Sequence, residues 1–429
     1  MNKLPFWLNP ILISIGWIAI VLLSFASEEA MFKQLIGARK FIGIDDVFVL
    51  GTLFLCFGLA CKFGSICCQT FFVTQKAKSQ YSDLLVALGS PLFVSVITLF
   101  FILCVAAYLI WFLPLILSGA WIQIIKGGLY GRSELDALGA SIPGVTTMTQ
   151  FGIPIVIVAS FVVFNRLKFQ PVVFYYYLFL FIVVVFCAIF RAYFWSERLA
   201  LFELLVPIGI IFLLVHYCGQ LWLRLMPFVA VATVILLFGA FEYSRSWKYF
   251  KDDYSNILTF SACRFGGYYI SSFNNMAMAR DELEVAGEPY NTLGFLYLLP
   301  LSFFDDLNRD KSQKWSDYQL RLEQYANPEF NLMSGPGAVV SDFGDYVAIP
   351  VFACFGLVSG YLFLSARRGG VLGLLFYPLW SVGLLELGRL LYWSTSRAFP
   401  ALLGLILFWY LLKYIISKIA PKSVSVAQS

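Results

Sequence analysis

The chain has 429 residues, 60% hydrophobic and 18% aromatic, with only 13% charged, a net charge of +5 and a mean hydropathy of +0.81. Soluble domains carry roughly a quarter charged residues, so this composition excludes a soluble domain and predicts an all-α polytopic integral membrane protein. The modest positive charge is scattered over the ends of apolar runs, and no nucleic-acid partner is expected.

Ten spans are predicted in chain order, at about 8–25, 47–62, 92–114, 151–164, 172–190, 203–218, 226–242, 347–365, 371–388 and 398–416. The first, Ile11 to Ala26 after Lys3, has the look of a signal peptide. It is interrupted by Gly16 and Trp17 and is longer than the usual h-region of about 7 to 15 residues, which favours an uncleaved helix.

Of the 25 acidic residues, 24 fall outside the segments read as cytoplasmic, and Asp83 is the exception. Those segments carry Lys3, Lys62, Lys76, Lys78, Arg166, Lys168, Arg224, Arg367, Arg368, Lys413, Lys418 and Lys422. An excess of Lys and Arg marks the cytoplasmic side, so both termini are expected inside.

The outer loops are predicted at roughly 26–46, 115–150, 191–202, 243–346 and 389–397. The organisation is then seven helices over 1–242, a large extracytoplasmic loop over 243–346 forming a small helical subdomain above the membrane, and three helices with a tail over 347–429. Within that loop Leu293 to Phe304 is apolar but too short to cross and is broken by Pro300, so it reads as an interfacial or re-entrant helix. Gly356 and Gly360 form a GxxxG pair suited to close helix packing.

Cys56, Cys61, Cys67, Cys68, Cys104, Cys187, Cys218 and Cys354 lie in spans or at their cytoplasmic ends, leaving only Cys263 in the large loop. No disulfide framework is expected. Cys67 and Cys68 lack a CxxC partner, and no metal site is expected there. The only histidine, His216, sits toward the cytoplasmic end of the sixth span. That placement, with no P-loop, GxGxxG or HExxH motif, excludes histidine-based hydrolase and zinc chemistry and ATP bound to this chain.

Four outer stretches carry candidate chemistry. In the first, Arg191, Trp195, Arg198 and Phe202 would share one face of a continuous helix, with Glu197 and Glu203 beside them. Guanidinium forks pair with phosphate oxygens and aromatic faces accept sugar rings, whereas the bland alternative is arginine snorkelling at a helix end. In the second, Arg245, Lys248 and Lys251 precede Arg264-Phe-Gly-Gly-Tyr268-Tyr269, with Arg280, Asp281 and Glu282 further on. There Gly266 and Gly267 would permit a tight turn.

The third runs from Asn331 through Ser334-Gly335-Pro336-Gly337 to Asp342 and Asp345, with a shaped turn just ahead of the eighth span. A carboxylate placed there can cap a helix, hold a sugar hydroxyl or act as a base. In the fourth, Glu386, Arg389 and Arg397 flank Tyr392 and Trp393. Glu386 lies in an apolar run and is expected to pair with Arg389 or a cation on a neighbouring helix.

This outline resembles the O-antigen polymerase family, the Wzy-type polymerases of oligosaccharide repeat units, over most of the chain. The resemblance rests on the outer loop with Arg191 and Arg198 before Pro207, on the large late loop, and on the Gly-Pro-Gly and Asp342-Phe-Gly344 entry into a glycine-bearing helix. An Arg-x10-Gly motif runs once, from Arg198 to Gly209. The large loop lacks a histidine of the kind found in related O-antigen ligases, which favours polymerase over ligase.

The resemblance implies a GT-C-like architecture in the bacterial inner membrane and a cofactor-free, metal-independent, inverting transfer between undecaprenyl-pyrophosphate-linked oligosaccharides on the periplasmic side. A flippase and a chain-length regulator are the implied companions, with membrane lipids around the helices. On that reading Arg191, Arg198 and Asp342 are catalytic, while Arg264, Tyr268, Trp195, Asp345, Arg280 and Arg397 bind substrate. The alternatives are a lipid-linked oligosaccharide flippase, whose cations should line a path through the helices, or an O-antigen ligase.

Overall fold

The computed structural model describes residues 4–72, 77–125, 142, 144–195, 197–216, 225–245, 247–252, 254–298 and 305–426. Lys3, Lys76, Arg224, Cys218 and Pro300 lie outside the described residues. All regular structure among the described residues is helical. In chain order, α1 is Pro10–Ala26, α2 Glu29–Ile36, α3 Ile44–Phe72, α4 Ala77–Leu88, α5 Pro91–Leu117 and α6 Ala120–Ile125. Then come α7 Gly152–Phe164, α8 Pro171–Trp195, α9 Arg198–His216, α10 Met226–Arg245, α11 Trp247–Phe250 and α12 Ile257–Glu282. The last four are α13 Asp305–Tyr325, α14 Gly335–Arg368, α15 Val371–Glu386 and α16 Ala398–Val426.

Among the described residues seven helical stretches are long and apolar enough to cross a membrane, six of these helices and α7 together with the 3-10 helix Thr146–Phe151 before it, and three shorter apolar helices, Pro10–Ala26, Met226–Ala240 and Val371–Glu386, fall on three further predicted spans. Large apolar side chains such as Leu59, Phe186 and Phe228 are exposed along the helices, as suits a bundle whose outer surface meets lipid. The chain is thus an all-helical, multi-pass membrane protein.

Local sequence starts the helices where they must start. Asn9 accepts a hydrogen bond from the Ile11 N–H with Pro10 at the first helical position, and Ser90 does the same for Phe93 with Pro91 behind it. Ser334 caps α14 by accepting from the Gly337 N–H at 3.1 Å. The Ser-Gly-Pro-Gly stretch is therefore a helix start, and α14 begins a dozen residues before the predicted eighth span. Gly344, at φ 74° and ψ 172°, kinks α14 in a backbone region open to glycine.

Side-chain contacts set the directions of neighbouring helices. Phe54 and Phe57 meet Phe352, and the Ser65 hydroxyl donates to the Gly360 carbonyl at 3.1 Å, so α3 and α14 run parallel. Thr98 meets Tyr176 and Phe112 meets Phe190, aligning α5 with α8. The Tyr377 hydroxyl donates to the Leu8 carbonyl and the Trp17 indole to Leu384, aligning α1 with α15. Within each of these three pairs the two helices therefore run in the same direction.

The large loop departs from the expectation of a subdomain resting above the helices. Its 26-residue α12 packs among them, with Phe273 against Trp17 and Phe54 and Met276 against Gly337. Gly266 and Gly267 lie inside this helix, so no turn forms there; Gly267 instead admits the Phe330 ring. Cys263 is likewise helical. Of the stretch from Leu293, the described part is a turn followed by the short 3-10 helix Leu296–Leu298, and 299–304 lie outside the described residues.

Candidate functional site

Two linked groups of largely buried charge lie where the C-terminal ends of α8 and α10 meet the N-terminal parts of α9 and α12. In the first, Arg191 donates through Nε to Glu197 Oε2 at 2.7 Å, with Nη2 at 2.5 Å from the same oxygen. Arg397 reaches that oxygen through Nη1 at 3.2 Å and grips Glu203 with Nε and Nη2 at 3.1 and 3.0 Å. Such a forked pair fixes both distance and plane. Burial disfavours the Arg397 charge, and Glu203 and Glu197 more than offset it, so its pKa lies above the ordinary value.

In the second group, Glu242 is fully buried and holds two arginines, Arg198 through one oxygen and Arg264 Nε through the other at 2.9 Å. Arg264 also pairs with Glu329. Burial opposes its charge and Glu242 then Glu329 restore it, leaving the guanidinium raised. Glu197 and Arg198 are consecutive residues, so the two groups form one band of four guanidiniums against four carboxylates.

Aromatic rings pack beside this band. The Arg191 guanidinium lies 4.3 Å from the Trp111 ring centroid, and Arg198 lies 3.9 Å from that of Phe238 and 5.5 Å from that of Tyr268, within cation–π range. Arg198 and Arg397 keep 20% and 22% of their side chains exposed, against 7% and 6% for Arg191 and Arg264. Arg198 and Arg397 are thus the more solvent-accessible pair.

The structure rearranges several sequence expectations. The helix breaks between Trp195 and Arg198, so Arg191 and Trp195 end α8 while Arg198 and Phe202 begin α9, and no single face carries all four. Trp195 is buried, stacked on Phe112 with centroids 5.6 Å apart, and packs into the core. Tyr268 is partly buried between Phe238 and Phe330. Arg280 stands outside the band, held by Asp345 at 2.8 Å and Asp46 at 3.1 Å. Its pKa is raised, first by the hydrogen bonds it donates to Asp345. Glu386 pairs with Arg389 at 2.7 Å, as expected for a carboxylate in an apolar run.

Asp342 has no exposed surface, and its hydrogen-bond partners lie outside the band. Its carboxylate accepts from the Asn291 N–H at 2.9 and 3.0 Å, from Asn291 Nδ2 at 2.9 Å and from the Thr292 N–H at 2.6 Å. Here it anchors a loop.

Sequence reasoning passed over Glu242 and Glu329. Glu242 carried a signal, because it ends an apolar run as Glu386 does, and such a carboxylate demands a cation; Glu329 carried none. It also passed over the Asn274-Asn275 pair, buried in α12. Asn274 accepts from the Phe41 and Ile42 N–H groups and donates to Arg39, while Asn275 donates to Phe330 and Leu332. These two amides fasten the segment 39–42 and the 329–333 strip to α12. No protein-family model, curated protein or solved structure matches the chain.

Proposed function

We propose that this chain is a membrane glycosyltransferase that polymerises undecaprenyl-pyrophosphate-linked oligosaccharide repeat units at the periplasmic face of a bacterial inner membrane. It crosses the membrane ten times with both termini in the cytoplasm, as the lysine and arginine bias asks. The observation that carries the reading is the convergence of Arg191, Arg198, Arg264 and Arg397, from four separate segments, into one band of partly buried charge. Cations collect there at one end of the bundle rather than along a path through it, which favours an enzyme over a flippase.

In the reaction, a sugar hydroxyl attacks the anomeric carbon of the donor, the bond from that carbon to the pyrophosphate oxygen breaks, and lipid pyrophosphate leaves. The developing charge on the leaving oxygen needs preorganised donors. Arg198 and Arg397, the more open arginines, bind the pyrophosphate, and Arg191 and Arg264 hold their carboxylate partners in place. Glu197, bridging Arg191 and Arg397 with 19% of its side chain exposed, orients the attacking hydroxyl, whose proton passes to solvent.

Deletion of the gene tests the assignment through surface glycan ladders. A polymerase predicts loss of the ladder with single-repeat-capped lipopolysaccharide retained. Accumulation of free lipid-linked polymer would identify a ligase instead, and cytoplasmic build-up of single lipid-linked units a flippase.

A further inference from the structure

A second feature of the outer end takes no part in the mechanism above. A groove of about 980 Å³ opens between α13 and the strip 282–291. The strip is fastened to α14 by the Ala286 N–H on the Ser341 carbonyl and the Gly287 N–H on the Asp342 carbonyl, both at 2.9 Å, and then by the Asp342 carboxylate. On the other wall the buried Tyr318 donates to the Asn331 carbonyl at 3.2 Å, and Lys314 Nζ reaches across to the Val285 carbonyl at 3.4 Å. Both walls are therefore shaped before any ligand arrives.

The lining has the chemistry of saccharide recognition. Trp315 keeps 47% of its surface exposed, with its ring centroid 5.6 Å from that of Tyr318, and Tyr290 lines the opposite wall. An exposed indole in a polar groove is a platform for the apolar face of a sugar ring. The amides of Asn291, Gln313 and Gln324 add both donors and acceptors for hydroxyl groups.

Charge narrows the class of sugar. Among the described residues Glu282, Glu284, Glu288 and Asp317 line the groove with Lys314 and Arg321, four carboxylates against two cations, and a net negative lining repels uronic acids and phosphates. The groove also lies close to the arginine band. Met333 lines it and Glu329, four residues earlier, pairs with Arg264; that stretch spans at most about 14 Å fully extended.

We infer that this groove holds the accepting glycan, a neutral or amino-bearing oligosaccharide, beside the band that holds the lipid-pyrophosphate donor. The identity of that glycan as acceptor rests on the polymerase reading, whereas saccharide recognition stands on the groove alone. The full-length protein in detergent is titrated with a glucosamine tetramer and a galacturonate tetramer by saturation-transfer NMR. The glucosamine tetramer binds and the galacturonate tetramer binds at least about tenfold more weakly; Trp315→Ala weakens the first by about tenfold or more with an unchanged melting temperature. The double variant Glu288→Gln and Asp317→Asn narrows the preference, and it decides the matter should Trp315→Ala fail to fold. Binding of neither tetramer, preference for galacturonate, or indifference to all these substitutions overturns the inference. Saccharide binding with ladders intact in the deletion strain removes the polymerase reading and leaves the groove, whereas lost ladders without saccharide binding do the reverse.

Discussion

Arg198 and Arg264 share one carboxylate, Glu242, yet their substitutions should fail in different ways. Arg264→Ala removes the more buried partner and leaves the fully buried Glu242 only the partly exposed Arg198, with Glu329 losing its cation as well; an under-compensated buried carboxylate is costly, so the melting temperature in detergent should fall further than for Arg198→Ala. Arg198→Ala leaves Glu242 with Arg264, so the fold persists. Loss of one preorganised donor at a leaving group costs roughly 2.7 to 4 kcal/mol, so polymer formation should fall on the order of a hundredfold. Near-normal ladders from a folded Arg198→Ala protein would remove Arg198 from the site.

Asp342 offers a similar contrast. Charged hydrogen bonds of its kind are worth about 1.5 to 3 kcal/mol, so Asp342→Ala should destabilise by at least that much. Asp342→Asn keeps the shape but turns one acceptor oxygen into an amide that faces the N–H donors of Asn291 or Thr292, so it should lower stability by less than the alanine variant, and activity of the folded protein should drop by less than about tenfold. A loss of about a hundredfold or more at unchanged stability, the contribution of a general base, would return Asp342 to the role its position in the sequence suggests.

The pairing of α3 with α14 depends on glycine. A Cβ at Gly360 would stand 1.9 Å from the Cys61 carbonyl oxygen, one at Gly356 2.5 Å from that of Phe57, and one at Gly64 2.1 Å from that of Leu357. All three neighbours are backbone and cannot turn aside. Gly360→Ala should therefore cost about 1 to 3 kcal/mol through overpacking, read as a drop in thermal stability in detergent. Gly266 in α12 is the counter-case, since a Cβ there meets nothing within 4 Å, and Gly266→Ala should stabilise by up to about 1 kcal/mol. The GxxxG spacing announced Gly356 and Gly360, but Gly64 carried no motif and acquires its role only from the partner helix. The break at Trp195–Arg198 was equally hidden, because 191, 195, 198 and 202 keep a helical period straight through it.

For the molecule as a whole, the charge skew makes a directional prediction. A membrane-impermeant thiol reagent applied to intact cells should label Lys33→Cys, above the level of the parent protein, and label Lys418→Cys only after permeabilisation. Both side chains are exposed, so access to the solvent is the only variable. Equal labelling from outside would overturn the orientation.

The linear chain was enough to define an all-helical membrane protein and to place its apolar runs, because hydropathy and length act locally and a lipid core demands unbroken helices. It was also enough to collect Arg191, Arg198, Arg264 and Arg397 on one face, because the positions of acids and bases set orientation one segment at a time. Which carboxylate each arginine meets was decided only in three dimensions. Glu242 reaches Arg198 and Arg264, Arg397 reaches back to Glu203, and Asp342 turns away to hold Asn291 and Thr292. A buried charge is tolerable only beside its partner, and which segments lie side by side follows from the packing of whole helices, to which each residue contributes only a little.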